Sequence, residues 1–363
     1  MLRQRTTLLL TLLYLGISWA SAPAQEPFRK AEGKAAKREA LKETAKADAK
    51  PASSEPMKEV QVTTPHSITL EGVKLEYTAT AGNLLVKDEE GKVKASMFFI
   101  AYNRSGIKDV DKRPIAFVFN GGPGSSAVWL HLGAFGPKRV QIGDTGEPLP
   151  PPYRLVDNEA TLLDQTDLVF IDPVSTGYSR PGPGEAAKQF HGVQGDIQSV
   201  GDFIRLYTTR FERWGSPKFV AGESYGTTRA AGLAGYLQDS AGLNLNGIIL
   251  VSTVLNFQTL RFDEGNDLPY VLFLPTYTAT AWYHKKLPAD LMMDRARTLR
   301  EVEEFALGAY TTALMKGHKL QADERSEIVR KLARYTGLSE DFVRRANLRI
   351  PIFRFTEELL RDR

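Results

Sequence analysis

The sequence predicts an α/β fold: a mostly parallel central sheet with helices on both faces. Three observations point there. Four apolar runs, "IAFVF" (115–119), "DLVFID" (167–172), "KFVAG" (218–222) and "GIILVS" (247–252), have the length and composition of strands buried on both sides. Helical patterns lie between the later runs, such as "GVQGDIQSVGDFIRLYTTRFERW" (192–214). The runs at 115 and 218 end abruptly in glycine-rich segments. In a parallel sheet, chemistry gathers at the carboxyl ends of the strands.

From the N-terminus, "MLRQRTTLLLTLLYLGISWASAPAQE" places Arg3 and Arg5 before an apolar run, with small residues after it. This is the layout of a secretory signal peptide, expected over 1–24. The run is short for a bilayer, which needs about 20 residues. The mature protein is therefore expected to be exported, periplasmic or secreted, without stable membrane insertion. Residues 25–60 are rich in Ala, Lys and Glu and poor in large apolar groups, a flexible charged linker. Net charge is +4, but the lysines crowd near the N-terminus and no basic stripe interleaves with aromatics, so nucleic acid is not an expected partner. There is no cysteine, which excludes disulfides, a thiolate nucleophile and cysteine-bound zinc. No histidine spacing suggests a metal site, and no cofactor is expected.

The folded part is expected over 61–363. Short runs, "SITL", "VKLEYTAT", "GNLLVKD" and "KASMFFIAY", predict antiparallel strands with turns at Glu71-Gly72, Ala81-Gly82 and Glu90-Gly91. The buried parallel strands follow. Residues from about 265 to 350 carry amphipathic helical patterns with no buried strand between them, which predicts a helical insertion. The chain then runs to "IPIFRFTEELLRDR".

Two segments carry the chemistry. "KFVAGESYGTTRAAGLAGYL" contains Gly222-Glu223-Ser224-Tyr225-Gly226, a G-x-S-x-G pattern between a buried strand and a helix rich in small residues. That is the setting of a nucleophile elbow, which holds a serine in a strained backbone state and needs small residues two before and two after it. Ala230, Ala231, Gly232, Ala234 and Gly235 are expected to let the helix lie close to the sheet. A tetrahedral oxyanion needs donors: one is the Tyr225 backbone N–H, and another comes from a loop after an earlier strand. The knot Asn120-Gly121-Gly122-Pro123-Gly124 supplies such a loop.

These segments resemble the serine carboxypeptidase family (peptidase family S10) of α/β-hydrolases. That family has an Asn-Gly-Gly-Pro-Gly loop, a Gly-Glu-Ser-Tyr-Gly elbow, and between them a segment like "FIDPVSTGYS" (170–179). All three occur here in family order, and "LPTYTATAWYHKKLP" (274–288) is similar to bacterial members. The resemblance implies an α/β-hydrolase fold and a serine-type carboxypeptidase, acting on peptides with a free C-terminal carboxylate. It implies Ser224 as nucleophile and Gly122 and Tyr225 as oxyanion donors. Asn120, the Gly121 backbone and Glu223 would hold the substrate's carboxylate. A glutamate facing a bound carboxylate would share one proton with it.

The chain departs from the family at Ser125, where many eukaryotic members have cysteine, and at Ala134, where a glutamate is frequent. "IDPVSTGYS" lacks the usual glutamine. The family's catalytic acid and histidine follow the helical insertion, on loops after the last two strands. No buried strand pattern follows residue 350. The chain as written is therefore expected to stop short of both residues. Asp263 or Asp267 with His284 would also satisfy the order Ser-Asp-His, although a triad is recognised by geometry rather than order. His66, His131, His191 and His318 are expected to be structural or exposed. The competing functions are another hydrolase of this fold (an esterase or acyltransferase), or an inactive fragment or non-catalytic protein that binds C-terminal peptides.

Overall fold

A computed structural model describes residues 57–362. The expected signal peptide and nearly all of the charged linker lie outside the described residues. The chain divides into two compact units, the first ending at Leu255 and the second starting at Asn256.

The first unit holds the sheet. Its strands are β1 (Gln61–Leu70), β2 (Val73–Lys87), β3 (Val93–Arg104), β4 (Ile115–Phe119), β5 (Lys138–Val140), β6 (Leu155–Asp157), β7 (Asp167–Ile171), β8 (Arg180–Pro181), β9 (Lys218–Glu223) and β10 (Gly247–Val251). The order is β1-β2-β3-β7-β4-β9-β10, with β8 on β3 and a separate β5-β6 pair. β7, β4, β9 and β10 run parallel, while β1, β2 and β3 extend the sheet as an antiparallel meander. Side chains alternate between faces with period two. Phe117, Phe119 and Val220 point toward helices α1 (Val193–Arg210) and α2 (Tyr225–Ala241), packing with Ile197, Phe203, Tyr207 and Leu233. Ala116, Val118 and Ala221 face the other side, toward Ala127, Leu130 and Leu163.

Three expectations need correction. Ala81-Gly82 is not a turn: Gly82 sits inside the continuous strand β2, opposite Gln61 and Phe99. Its reason is close approach, because a Cβ there would lie 2.5 Å from the Val60 carbonyl oxygen. The run at 247–252 is not buried on both sides, since Ile248 and Ile249 are exposed and β10 pairs only with β9 among the described residues. The small residues of α2 do not all face the sheet. Five positions within six residues cover every side of a helix at 3.6 residues per turn. Ala231 and Gly235 are exposed, and Gly232 packs on Ile197 of α1.

At the amino ends of the parallel strands, Asp167 is buried between two arginines. It accepts hydrogen bonds from Arg213 Nη1 at 2.7 Å and Arg113 Nε at 3.3 Å, and from the Arg104 backbone N–H at 3.0 Å. This charge is paired and hydrogen-bonded from several directions, the condition on which a buried ion is tolerated.

The second unit is helical among the described residues. Its main helices are α3 (Leu268–Tyr283), α4 (Arg295–Phe305), α5 (Ala322–Thr336), α6 (Glu340–Arg345) and α7 (Ile352–Leu359). Leu274, Tyr277, Val302, Val329, Val343 and Phe355 share its core. No helix among the described residues is long and apolar enough to cross a membrane.

His131 is buried in the first unit. Its Nε2 lies 2.7 Å from the Tyr102 hydroxyl and its ring 4.5 Å from that of Phe170. Burial pulls its pKa down to about 4. Between that value and the ordinary one of about 6.5, the unfolded chain takes up a proton that the folded chain refuses. Stability from this group is therefore fully present above about pH 6.5 and falls as pH drops toward 4, by up to about 3 kcal/mol.

Two outcomes follow. Gly82→Val should destabilise the protein by about 1–3 kcal/mol, measured by urea unfolding, because the Val60 and Gln61 backbone, as well as the Gln61 side chain, blocks the new atoms. A loss below about 0.5 kcal/mol would show that the strand can shift there. His131→Leu leaves the Tyr102 hydroxyl unpaired at every pH but removes the titration. Its unfolding free energy should fall less steeply between pH 6.5 and 4 than the wild type's, and equal slopes would refute the assignment.

Candidate active site

Strand pairing builds the site. β4 and β9 are neighbours in parallel register, with Phe119 opposite Gly222, so both glycine-rich segments leave the sheet side by side. The last residue of β9 is Glu223 and the first of α2 is Tyr225. Between them Ser224 has φ 56° and ψ −124°, a conformation costly for any residue with a Cβ. The glycines on either side make room for it. A Cβ on Gly222 would strike the Gly226 carbonyl, and one on Gly226 would lie 3.1 Å from the Phe119 carbonyl oxygen. The turn is tied down by Ser224 N–H donating to the Val251 carbonyl at 3.0 Å and by the Thr227 hydroxyl donating to the Ser224 carbonyl at 2.7 Å. Ser224 is half-buried, and its hydroxyl makes no hydrogen bond among the described residues. The N-terminus of the 17-residue helix α2 places positive potential beside it.

The loop after β4 lies directly against this turn. A Cβ on Gly121 would come within 2.6 Å of the Glu223 carbonyl oxygen and strike the Tyr225 backbone nitrogen. Only glycine permits that approach. Gly122 has φ 104°, a left-handed conformation, and is exposed. The Asn120 side chain is fully buried and used at both ends. Its Nδ2 donates to Glu223 Oε2 at 3.0 Å, and its Oδ1 accepts from the Leu130 backbone N–H at 3.0 Å. Asn120, Gly121, Glu223, Ser224 and Tyr225 are thus drawn together at the carboxyl ends of two interior strands, with Gly122 next in the loop.

Three further residues shape the site and were not singled out from the sequence. Asp172 follows β7 and accepts from the Ala127 backbone N–H at 3.0 Å and the Tyr178 N–H at 3.3 Å, joining the loop after β4 to the one after β7. Burial pushes its carboxyl pKa up, against those two hydrogen bonds. Asp196 and Arg229 form a buried ion pair at 2.8 Å. Burial and the Asp196 charge together push the Tyr225 phenol up to about 12. The signal for this pair is present in the sequence. Asp196 precedes Val200, Phe203, Ile204 and Tyr207 at helical spacing, and Arg229 stands among Ala and Gly one turn after Tyr225. Charges on an apolar stripe call for a buried partner.

The alternative acid and base candidates lie in the second unit. Asp267 is engaged with Arg349 at 2.6 and 2.7 Å. His284 ends α3, its backbone N–H bonded to the Thr280 carbonyl and its ring edge-on to Tyr283. Asp263 is in the segment before α3. His66, His191 and His318 are exposed.

Comparison with known proteins gives the family. A family model described as serine carboxypeptidase matches residues 72–287, more than half of the chain. "Serine carboxypeptidase-like 36" of Arabidopsis thaliana is 30% identical over 180 residues, which is 47% of this chain. The chain spans about a third (34%) of that relative's length. Among solved structures, the prohormone-processing carboxypeptidase KEX1(delta)p of Saccharomyces cerevisiae is similar at 20% identity and TM-score 0.41, covering 71% of this chain and 53% of that one. The cell-wall-degrading esterase LipA of Xanthomonas oryzae is similar at 11% identity and TM-score 0.32, covering 75% and 62%. The family match contains both the loop after β4 and the strained serine turn after β9, and the chain belongs to the serine carboxypeptidase family, on an α/β-hydrolase fold.

Proposed function

We propose that the protein is a serine-type carboxypeptidase that hydrolyses the C-terminal peptide bond of peptides through an acyl-enzyme on Ser224. The observation that carries this reading is the hydrogen bond from Asn120 to Glu223, beside the strained serine. An ester hydrolase has no need of a paired amide and acid there. A carboxypeptidase does, because it must recognise a free terminal carboxylate.

In this reading Ser224 attacks the scissile carbonyl, and the oxyanion is held by the N–H groups of Gly122 and Tyr225. Asn120, the Gly121 N–H and Glu223 take the substrate's carboxylate. A general base, an acid to orient it and the leaving-group chemistry complete the reaction in the whole protein, since serine alone is a weak nucleophile. The N-terminal pattern supports export, to the periplasm or outside the cell, as the place where such a peptidase works.

The full-length protein should release C-terminal residues from peptides and leave their C-terminal amides intact. Equal cleavage of both would overturn the reading. Ser224→Ala should abolish turnover while leaving peptide binding within about twofold, because only the nucleophile is lost. Near-normal turnover in that variant would remove Ser224 from the mechanism.

The neighbouring glutamate sets the pH dependence of binding. Two ionised carboxylates 4 Å apart repel by about 4 kcal/mol at an effective dielectric of 20, so the complex is expected to hold one proton between them. Glutamine donates a hydrogen bond at any pH. The KM for a peptide should therefore rise from acid to neutral pH in the wild type and stay nearly flat in Glu223→Gln. The ester counterpart lacking the carboxylate should show no such difference. Superimposable peptide profiles for the two enzymes would dismiss Glu223 as the carboxylate partner.

A further inference from the structure

Arg229 is the largest of the fully buried side chains. It works in two directions at once. Its Nε donates to Asp196 Oδ2 at 2.8 Å, and its Nη1 donates to the Asn120 backbone carbonyl at 2.8 Å. Its guanidinium lies 5.0 Å from the Phe119 ring and 5.3 Å from the Tyr225 ring, so it is in contact with the end of β4 and the start of α2 together.

The carbonyl it holds belongs to the Asn120–Gly121 peptide. That peptide is trans, so its C=O and N–H point in opposite directions. Fixing the carbonyl on Arg229 fixes the Gly121 N–H to point the other way. Gly121 is buried, yet its N–H has no hydrogen-bond partner among the described residues. A buried N–H left unpaired is costly and rare in a folded chain. A donor held in a set direction and left vacant is suited to an anionic ligand group.

We propose that Arg229, held by Asp196, is a positioning residue for carboxylate recognition: by clamping the Asn120 carbonyl it aims the Gly121 N–H at the substrate's terminal carboxylate. This rests on the carboxypeptidase reading above and extends it to residues outside both glycine-rich segments. Lysine cannot substitute. Its single ammonium lacks the planar fork that reaches a carboxylate and a carbonyl from one rigid group while stacking on two rings.

The test is binding by calorimetry, in the full-length protein carrying Ser224→Ala. The ligands are an N-acylated dipeptide with a free C-terminal carboxylate and its C-terminal amide. The parent should bind the acid about tenfold or more tighter, as expected for charge-assisted hydrogen bonds. Adding Arg229→Lys or Asp196→Asn should weaken the acid about tenfold and the amide by less than about twofold, so that the ratio collapses toward one. If the ratio survives in both variants, or both ligands weaken alike, the positioning role is overturned and the carboxypeptidase reading stands. If the parent itself binds acid and amide equally, the carboxypeptidase reading fails and takes this inference with it. Thermal melts establish that each variant is folded. Should a single variant fail to fold, the pair Arg229→Met with Asp196→Asn carries the same measurement, because neutral replacement of a whole buried ion pair is commonly tolerated.

Discussion

The contact between Arg229 and the Asn120 carbonyl is the constraint on which the carboxyl ends of the parallel strands depend. Four pieces of chain converge there: the end of β4, the loop after it, the first turn of α1 and the first turns of α2. None holds the others by apolar packing alone, because the loop has almost no side chains to pack. What a glycine-rich segment lacks in burial it must gain from hydrogen bonds to its backbone. A buried arginine provides several donors in a rigid plane, and Asp196 neutralises the charge that this requires. Removing one partner would leave the other charged and dry, the most expensive way to lose such a pair.

The two ends of the parallel strands use buried ionic groups differently. At the amino ends, Asp167 accepts one side-chain hydrogen bond from each of two arginines, whose other N–H groups go to the Ser216 hydroxyl and to the carbonyls of Leu163, Asp164 and Arg113, joining strand ends and loops. At the carboxyl ends, Asp196 and Arg229 secure a loop whose own Gly121 N–H has no partner among the described residues. The first arrangement closes the sheet. The second leaves a buried donor that, in the proposed reading, meets the substrate's carboxylate. Asp172 belongs with the second, since it fixes the loop after β7 to the loop after β4 through two backbone N–H groups.

Much of this was legible in the sequence because it follows from local rules. The run 115–119 is apolar throughout and bounded by Pro114 and Asn120, and β4 spans those same residues. The G-x-S-x-G spacing demands a strained serine, and Ser224 has positive φ. Other features were not legible, for identifiable reasons. A glycine between two alternating runs reads as a turn, but Gly82 serves close approach to a chain segment some 20 residues earlier, which no local window contains. An apolar run such as 247–252 shows that a strand can be buried, not which neighbours cover it. The small residues of α2 read as a close helix–sheet contact, but nearly consecutive positions point to every side of a helix, so only some of them can serve it. The Asp196–Arg229 pair was visible as two charges on apolar stripes, but pairing them required knowing that α1 and α2 are neighbours.

The register of β4 beside β9 also has a consequence for how the protein folds. Asn120 and Glu223 are 103 residues apart, and their contact exists only when those two strands are paired. Closing a flexible loop of that length costs about 4 kcal/mol of chain entropy before any contact offsets it. No short stretch of the chain can display the paired amide and acid in advance, so the site appears only with the long-range architecture of the sheet. For the carboxypeptidase proposed above, this would couple competence to completion: a nascent or partly unfolded copy presents an unstrained serine and an unaimed glycine loop.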